Sequence, residues 1–363
     1  MRITALDVRD VRCLAAAALE PSPAVNLIVG PNAAGKTSLL EAVHLLATGR
    51  SFAAGRPTRM VRVGGGPLRV VARVQSGRAP ARMHRLGLER AASGPASLRV
   101  DGRSVERVAE MARLLPVVAV HPESHELVGG GPGGRRRLLD QGLFHVEPSF
   151  HRAWQRYRRA LSQRNALLRA VGAGRELEAW DPELVAAAER MDALRRDYVC
   201  ALDAIVRRRV PQLIGPGVEL GLEYRRGWGE GSFREALQRA RARDREQLTT
   251  TVGPHRADLV LRWDGRDSRQ RVSRGQQKLL VYLLRLGQAE QLAQAAGEGC
   301  ILLLDDLAAE LDAGHRERVL ALATDVGAQL FITALDPATV PLDAQTPVSV
   351  FHVEQGQVRE VIQ

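Results

Sequence analysis

The sequence predicts an α/β fold: a core assembled from both ends of the chain, an antiparallel β subdomain beside it, and a mainly helical lobe inserted between the halves. Three features carry this. A short apolar run, Val25-Asn26-Leu27-Ile28-Val29, enters a small-residue loop and then a helical pattern over 37–47. A second apolar run, Cys300-Ile301-Leu302-Leu303-Leu304, ends in two aspartates. Between them the hydrophobic residues of 126–245 recur largely with helical period. The expected divisions are therefore 1–125 with 246–363 for the core and 126–245 for the lobe.

Element by element, residues 1–8 alternate as a strand does, and Leu39, Leu40, Val43, Leu46 and Ala47 share one face of the first helix. Segments 68–75, 82–90 and 97–101 are β-like between Gly/Pro turns, and 116–120 reads as a buried strand. The loop Gly129-Gly130-Gly131-Pro132-Gly133-Gly134 then leads into helical sequence. Trp154, Tyr157, Leu161 and Leu168 form one stripe, and Leu184, Met191, Leu194, Tyr198 and Ile205 the next, with a break over 172–182. Such stripes read as the seam of two antiparallel helices rather than a partner groove, each about 30–40 Å long. A helix over 233–247, a strand at 258–263, a helix from 275 and a strand at 328–333 follow. A closing hairpin pairs 348–353 with 358–362 across Glu354-Gln355-Gly356-Gln357.

The 363 residues, 45% hydrophobic and 26% charged, suffice for a sizeable core. No apolar run approaches the ~20 residues that span a bilayer. The first seven residues carry charge and no apolar h-region, so a cytoplasmic protein without a membrane partner is expected. Cys13, Cys200 and Cys300 lie far apart in no ligand-like spacing, and are expected to be small buried hydrophobes. The net charge is +11 and unevenly spread. Residues 1–129 carry 18 basic and 10 acidic groups, 130–245 carry 23 and 15, and 246–363 carry 11 and 16. A basic surface of this kind suits a polyanion partner. Of the 52 basic residues only Lys36 and Lys278 are lysine. In so Arg-biased a chain, a retained lysine marks a place that needs a compact ammonium.

Gly30-Pro31-Asn32-Ala33-Ala34-Gly35-Lys36-Thr37 fits G-x-x-x-x-G-K-[ST] between a strand and a helix, the context the pattern requires. Its small residues let backbone N–H groups turn inward on phosphates, and the helix adds its positive end. Lys36 would supply charge to the β/γ-phosphates of ATP, and the Thr37 hydroxyl would ligate Mg²⁺. The second metal partner should be an acid ending a strand covered on both faces, which Asp305 supplies. Asp306 is then placed to orient or deprotonate the attacking water, making Lys36 and Asp306 the candidate catalytic pair. Ser273-Arg274-Gly275-Gln276-Gln277-Lys278 opens a helix with a hydroxyl and a glycine: either an ordinary serine cap or a γ-phosphate site.

Together these residues resemble the RecF family of bacterial recombination mediators, related to the ATPase heads of SMC and ABC proteins. The resemblance covers essentially the whole chain. It rests on residues 26–42 around the phosphate loop, Gly49-Arg50-Ser51-Phe52, Pro122-Glu123, and Leu127-Val128-Gly129-Gly130 with Arg135-Arg136-Arg137-Leu138-Leu139-Asp140. Tyr157-Arg158-Arg159-Ala160-Leu161 with Gln163-Arg164-Asn165, Gly253-Pro254-His255-Arg256, 273–278, Leu303-Leu304-Asp305-Asp306 and Glu310-Leu311-Asp312 complete it. The resemblance implies an ABC/SMC-like ATPase head and a homodimer formed on ATP binding. In that dimer Ser273, Arg274, Gly275 and Gln276 of one subunit cap the nucleotide held by the other. It also implies a weak, DNA-stimulated ATPase that binds single-stranded, double-stranded and gapped DNA. With RecO and RecR it would help load RecA in gap repair, replication and the SOS response.

Some positions depart from the family pattern: Ala257 follows Gly-Pro-His-Arg, Ala53 follows Ser-Phe, and Ala309 precedes Glu-Leu-Asp. Phe331-Ile332-Thr333-Ala334-Leu335-Asp336 lacks a switch histidine, and Asp306 is shorter than the glutamate of most ABC ATPases. Both suggest slow hydrolysis. An SMC-type DNA tether would need far longer heptad arms than this insert provides. A transporter ATPase subunit would carry its signature nearer the phosphate loop, and a small-molecule kinase would need neither signature nor basic insert. Arg135, Arg136 and Arg137 are candidate DNA contacts, alongside 207–209 and the helix bearing Arg239, Arg241, Arg243 and Arg245.

Overall fold

The computed structural model describes residues 1–53, 57–77, 81–170 and 176–361. The chain forms two compact units: Met1–Ser124 with Lys278–Gln363, and His125–Gln277. The first unit begins with β1 (Arg2–Val11), β2 (Leu14–Leu19), β3 (Val25–Val29) and α1 (Lys36–Thr48). It continues with β4 (Leu68–Ser76), β5 (Arg82–Arg90), β6 (Ser97–Val100), β7 (Arg103–Val105), α2 (Val108–Leu114) and β8 (Val117–Val120). The second unit holds α3 (Glu126–Gly129), α4 (Pro132–Val146), α5 (Phe150–Arg169), α6 (Glu176–Leu213), β9 (Leu220–Arg225), α7 (Phe233–Gln247), β10 (Asp258–Trp263) and β11 (Arg266–Asp267). Helix α8 (Arg274–Ala296) starts there and, from Lys278, belongs to the first unit, which ends with β12 (Ile301–Leu304), α9 (Leu307–Glu310), α10 (Ala313–Asp325), β13 (Gln329–Ala334), β14 (Val348–Glu354) and β15 (Gln357–Val361).

One sheet runs through the first unit in the order β7-β6-β5-β4-β1-β2-β15-β14-β3-β13-β12-β8. Its last five strands are parallel, β3 lying between β14 and β13, and β12 between β13 and β8. Strands β3, β12 and β13 are buried at every position, as parallel strands covered on both faces must be. The strands from β7 to β2 pair antiparallel and alternate buried with exposed residues, so one face packs on a core and the other meets solvent. The core on that buried face includes Ile3, Leu6, Val70, Val74 and Leu88 together with Leu39, Val43 and Leu46 of α1. Helix α1 closes at Gly49, whose φ of 67° suits a left-handed cap and whose N–H donates to the Leu45 carbonyl at 2.7 Å.

Two buried amides fasten the chain's ends together. The Gln329 side chain accepts from the Ile3 N–H at 2.7 Å and donates to the carbonyls of Ile3 and Ser22. Asn26, fully buried, accepts from the Ser22 N–H and donates to the Leu330 carbonyl at 3.1 Å. Each ties buried backbone groups of segments far apart in sequence.

In the second unit α5 and α6 pack along one another, burying Tyr157 and Leu168 on one side and Leu184, Met191, Leu194, Tyr198 and Ile205 on the other. The break expected over 172–182 is narrower: α6 already runs from Glu176 and continues through Pro182 for 38 residues, about 57 Å at 1.5 Å per residue. A proline in the second turn removes one hydrogen bond, and the buried seam outweighs that loss. Helix α4 likewise begins inside the glycine-rich stretch, with Pro132 in its first turn. Residues 246–277 pack in this unit because β10 pairs along its whole length with β9.

Charge is used structurally here. Arg164, 1% exposed, donates to Asp181 at 3.1 Å, Asp244 at 2.7 Å and Thr250 at 2.8 Å. Arg195 donates to Asp140 at 2.7 Å and to the Pro254 carbonyl at 2.8 Å. Breaking a buried pair strands its partner, so Arg164→Ala should cost about 3–5 kcal/mol by leaving the fully buried Asp244 uncompensated. Urea unfolding of the full chain measures this, and a loss under about 1 kcal/mol would show the cluster to be dispensable.

His44 of α1 gives a pH-dependent expectation. Its Nδ1 faces the Arg50 carbonyl at 2.9 Å and therefore carries the proton of a neutral ring. Burial pulls its pKa from 6.5 down to about 4. The folded chain then binds the proton less readily than the unfolded one, so this contribution is complete above pH 6.5 and fades as pH falls towards 4. Unfolding free energies between pH 7.5 and 4 should fall less steeply in His44→Gln than in the parent; parallel curves would remove His44 from the effect.

Candidate functional site

The loop between β3 and α1 is shaped by two glycines and one forced turn. Gly30 has φ +145°, and a Cβ there would run into the Val353 carbonyl of β14. Gly35 has φ +119°, with Leu14 and Cys13 against the place a side chain would take. Ala33 turns left-handed at φ 62°, which its small side chain tolerates. Lys36, 8% exposed, folds its ammonium back over the loop and donates to the carbonyls of Gly30 at 2.7 Å and Pro31 at 2.9 Å. Burial lowers its pKa, opposed by the charges of Asp306 and Asp305.

The aspartates arrive from β12, separated from β3 by β13 alone. Thr37 Oγ1 lies 3.0 and 3.1 Å from the two carboxylate oxygens of Asp305. Thr333, at the end of β13, donates to Asp305 at 2.8 Å, and its hydroxyl accepts from the Asp306 N–H at 2.7 Å. Burial raises the pKa of Asp305, and the hydroxyls of Thr333 and Thr37 partly counter it. Asp306 itself turns left-handed at φ 57° and caps α9. A cavity of about 150 Å³ opens among Asn32, Lys36, Thr37, Asp305, Asp306 and Thr333. The structure thus gathers Lys36, Thr37, Asp305 and Asp306, four residues singled out on sequence, into one polar hollow.

Thr333 escaped sequence reasoning, although a hydroxyl ending a buried strand beside the Asp-bearing one is a legible signal. Cys13, at the turn between β1 and β2, also lines the hollow. Contrary to expectation it is exposed, as is Cys200; only Cys300 is buried, which pushes its thiol up to about 12. Glu41, fully buried on α1, binds Arg12 of that same turn and Ser51, and so holds Cys13 against the loop.

Ser273 and Gln276 belong to the second unit. Each caps the other: Ser273 Oγ accepts from the Gln276 N–H at 3.2 Å, and Gln276 Oε1 accepts from the Ser273 N–H at 2.8 Å. Arg274 is exposed. Gly275 has open space where a side chain would sit, its nearest neighbour being Ser273 Oγ at 3.9 Å. Among the described residues no contact therefore demands a glycine at this first-turn position. Lys278 places its ammonium 3.0 Å from Glu310, just past Asp306.

Of the three arginines proposed for DNA, Arg135 is 2% exposed and fully engaged by Asp258 and the carbonyls of Leu127 and Gly130, so it is a structural cation rather than a surface contact. Arg136 donates to the Ala257 carbonyl at 2.8 Å, and Arg137 is exposed. In the Gly-Pro-His-Arg motif, Nδ1 of His255 accepts from the Tyr157 hydroxyl at 2.6 Å and its Nε2 donates to the Thr250 carbonyl, which makes the motif a fastener of α5. No helix among the described residues is long and apolar enough to cross a membrane.

Residues 2–359 match the family model described as RecF/RecN/SMC N terminal domain. A DNA replication and repair protein RecF from Thioalkalivibrio sulfidiphilus is 42% identical, over 99% of both chains. The protein of that name from Pseudomonas aeruginosa is 39% identical, over 99% of this chain and 98% of its own. Among solved structures, "Structure of the recombination mediator protein RecF-ATP in RecFOR pathway" is 27% identical with a TM-score of 0.89, covering 99% of this chain and 97% of that one. An Smc head bound to part of ScpA, 14% identical with a TM-score of 0.59, covering 99% of this chain and 97% of that one, shares the fold. The likeness runs from one end of the chain to the other, and this protein belongs to the RecF family.

Proposed function

We propose that the chain is a recombination mediator of the RecFOR pathway that binds ATP with Mg²⁺ in the loop 30–37 and uses it to govern when two subunits close on DNA. The observation that carries this reading is the Thr37–Asp305–Thr333 cluster beside Lys36. Hard oxygen donors, few in number and next to a phosphate-binding loop, suit Mg²⁺, which takes one or two protein ligands and completes its shell with phosphate and water. Thr37 and Asp305 would hold it, and it would neutralise charge developing on the phosphates. Lys36 binds the β/γ-phosphates, and Asp306 orients the attacking water. A RecF solved with ATP supports the choice of nucleotide.

Ser273, Arg274, Gly275 and Gln276 cap the ATP of a second copy, a role consistent with a glycine that its own chain does not require. ATP then stabilises the dimer by mass action, and slow hydrolysis releases it. On this reading the protein is a weak, DNA-stimulated ATPase. It engages single-stranded, duplex and gapped DNA, works with RecO and RecR, and acts on RecA indirectly in the cytoplasm.

Lys36→Arg should weaken nucleotide binding at least about tenfold, since a planar guanidinium does not fit where a compact ammonium lies. Light scattering with ATP should then find monomer where the parent dimerises, and parental behaviour would remove Lys36 from this role. Asp306→Asn should bind ATP and accumulate as a closed dimer on gapped DNA. Loss of nucleotide binding in that variant would assign Asp306 to the metal or the fold instead.

A further inference from the structure

The outer face of the antiparallel strands holds a charge arrangement that the fold does not explain. Positions alternating with the buried core point Arg2 and Arg9 of β1, Arg69 and Arg73 of β4, Arg85 of β5 and Arg99 of β6 to solvent, and all six are exposed. Two like-charged pairs stand directly opposite in register: Arg9 against Arg69, and Arg73 against Arg85. Directly opposed like charges destabilise a sheet. Among the described residues no carboxylate forms a salt bridge with Arg69, Arg73, Arg85 or Arg99, whereas Arg9 has Asp7 at 3.3 Å. The acids on or beside this face are Asp7, Glu89 and Asp101: Glu89 stands opposite Arg69 on β5 without closing to a salt bridge, and Asp101 is taken up by His84 and the Arg85 N–H.

The face is also concave. A groove of about 670 Å³ runs over it, lined by Arg69, Arg85 and Arg99 against the two carboxylates Glu89 and Asp101, with Gly87 between them. Gly87 lies in register between Val71 and Arg99, and its missing side chain deepens the trough. Along β4 the two arginine pairs are four residues apart, about 13 Å at 3.3 Å per residue. That is close to the ~12 Å breadth of the major groove of duplex DNA, so each pair can meet one of the phosphate rows that flank it. No aromatic residue occupies an outward position on β1, β2, β4, β5 or β6, so the face offers no platform for stacking unpaired bases.

We propose that this groove is a nucleic-acid surface, which grips the sugar-phosphate backbone of a duplex without reading its sequence. Duplex DNA presents about one negative charge per 1.7 Å of axis, dense enough to relieve both opposed pairs at once. The inference rests on the DNA-binding reading above and adds which strands of the chain meet the paired arm of a gapped substrate.

The test uses the full chain and a blunt 30-base-pair duplex, with affinity followed against salt concentration. Arg73→Thr/Arg85→Thr keeps β-compatible residues and removes one opposed pair, so its melting temperature should equal or exceed the parent's. Its log–log salt slope should be shallower by about 0.9 per lost contact, hence by about 2, with ATP-driven dimerisation unchanged. Arg9→Thr/Arg69→Thr should lose a similar amount, while Arg73→Lys/Arg85→Lys should keep the parental slope. A parental slope in both threonine variants overturns the assignment. Equal competition by polyglutamate at matched charge would also overturn it, in favour of an acidic protein segment. A parent that binds no DNA at all would sink the broader reading, and this surface with it.

Discussion

Strand β13 is the spacer on which the candidate nucleotide site depends. It pairs in parallel with β3 on one side and β12 on the other, and those registers place the phosphate loop and Asp305 at the same sheet edge with one strand between them. Thr333, the penultimate residue of β13, bonds both to the Asp305 carboxylate and to the Asp306 backbone. A one-residue slip of β13 would turn that hydroxyl to the opposite face and break the cluster. Complete burial of β3, β12 and β13, with Gln329 and Asn26 locked into neighbouring carbonyls, resists such a slip. The sheet's register and the site's geometry are therefore one constraint.

The arginine excess serves three separate ends. Arg135, Arg164 and Arg195 are spent inside the second unit, where planar guanidinium groups satisfy two or three acceptors each. Others form ordinary surface pairs, such as Arg156 with Glu183 and Arg207 with Asp203. A third set, on the outer sheet face, includes two pairs set directly against like charge, Arg9 with Arg69 and Arg73 with Arg85. Net charge alone separates none of these, since a buried structural cation and a phosphate contact count equally in the sum.

Much of this was legible beforehand. The strand 25–29, the helix 233–247 and the strand 258–263 coincide with their periodic patterns, and the loop before Lys36 lies between a strand and a helix as its pattern requires. What sequence concealed has physical causes. Pro182 reads as a breaker, yet the seam carried by Leu184 and Met191 keeps α6 helical through it. Strand β9 shows no clear alternation because it borrows its stability from β10. Glu41 is an ordinary helix residue in one dimension and gains its meaning from Arg12 and Ser51, which the fold brings to it. Arg135 looked like surface because a triple-arginine run gives no hint of which member turns inward. The grouping of Ser273–Gln276 with a second subunit rests on the family resemblance, for within its own chain the segment is a well-formed capping box.

The distance in sequence between β3 and its two neighbours has a consequence for synthesis. Strand β3 (Val25–Val29) leaves the ribosome well before β13 (Gln329–Ala334) and β14 (Val348–Glu354). At about 5–20 residues per second, the strand that feeds the phosphate loop waits tens of seconds with both edges bare. Bare apolar edges invite pairing with other chains. The second unit closes within a contiguous stretch and can fold in the meantime, so newborn molecules should pass through a stage with a finished insert and an open head.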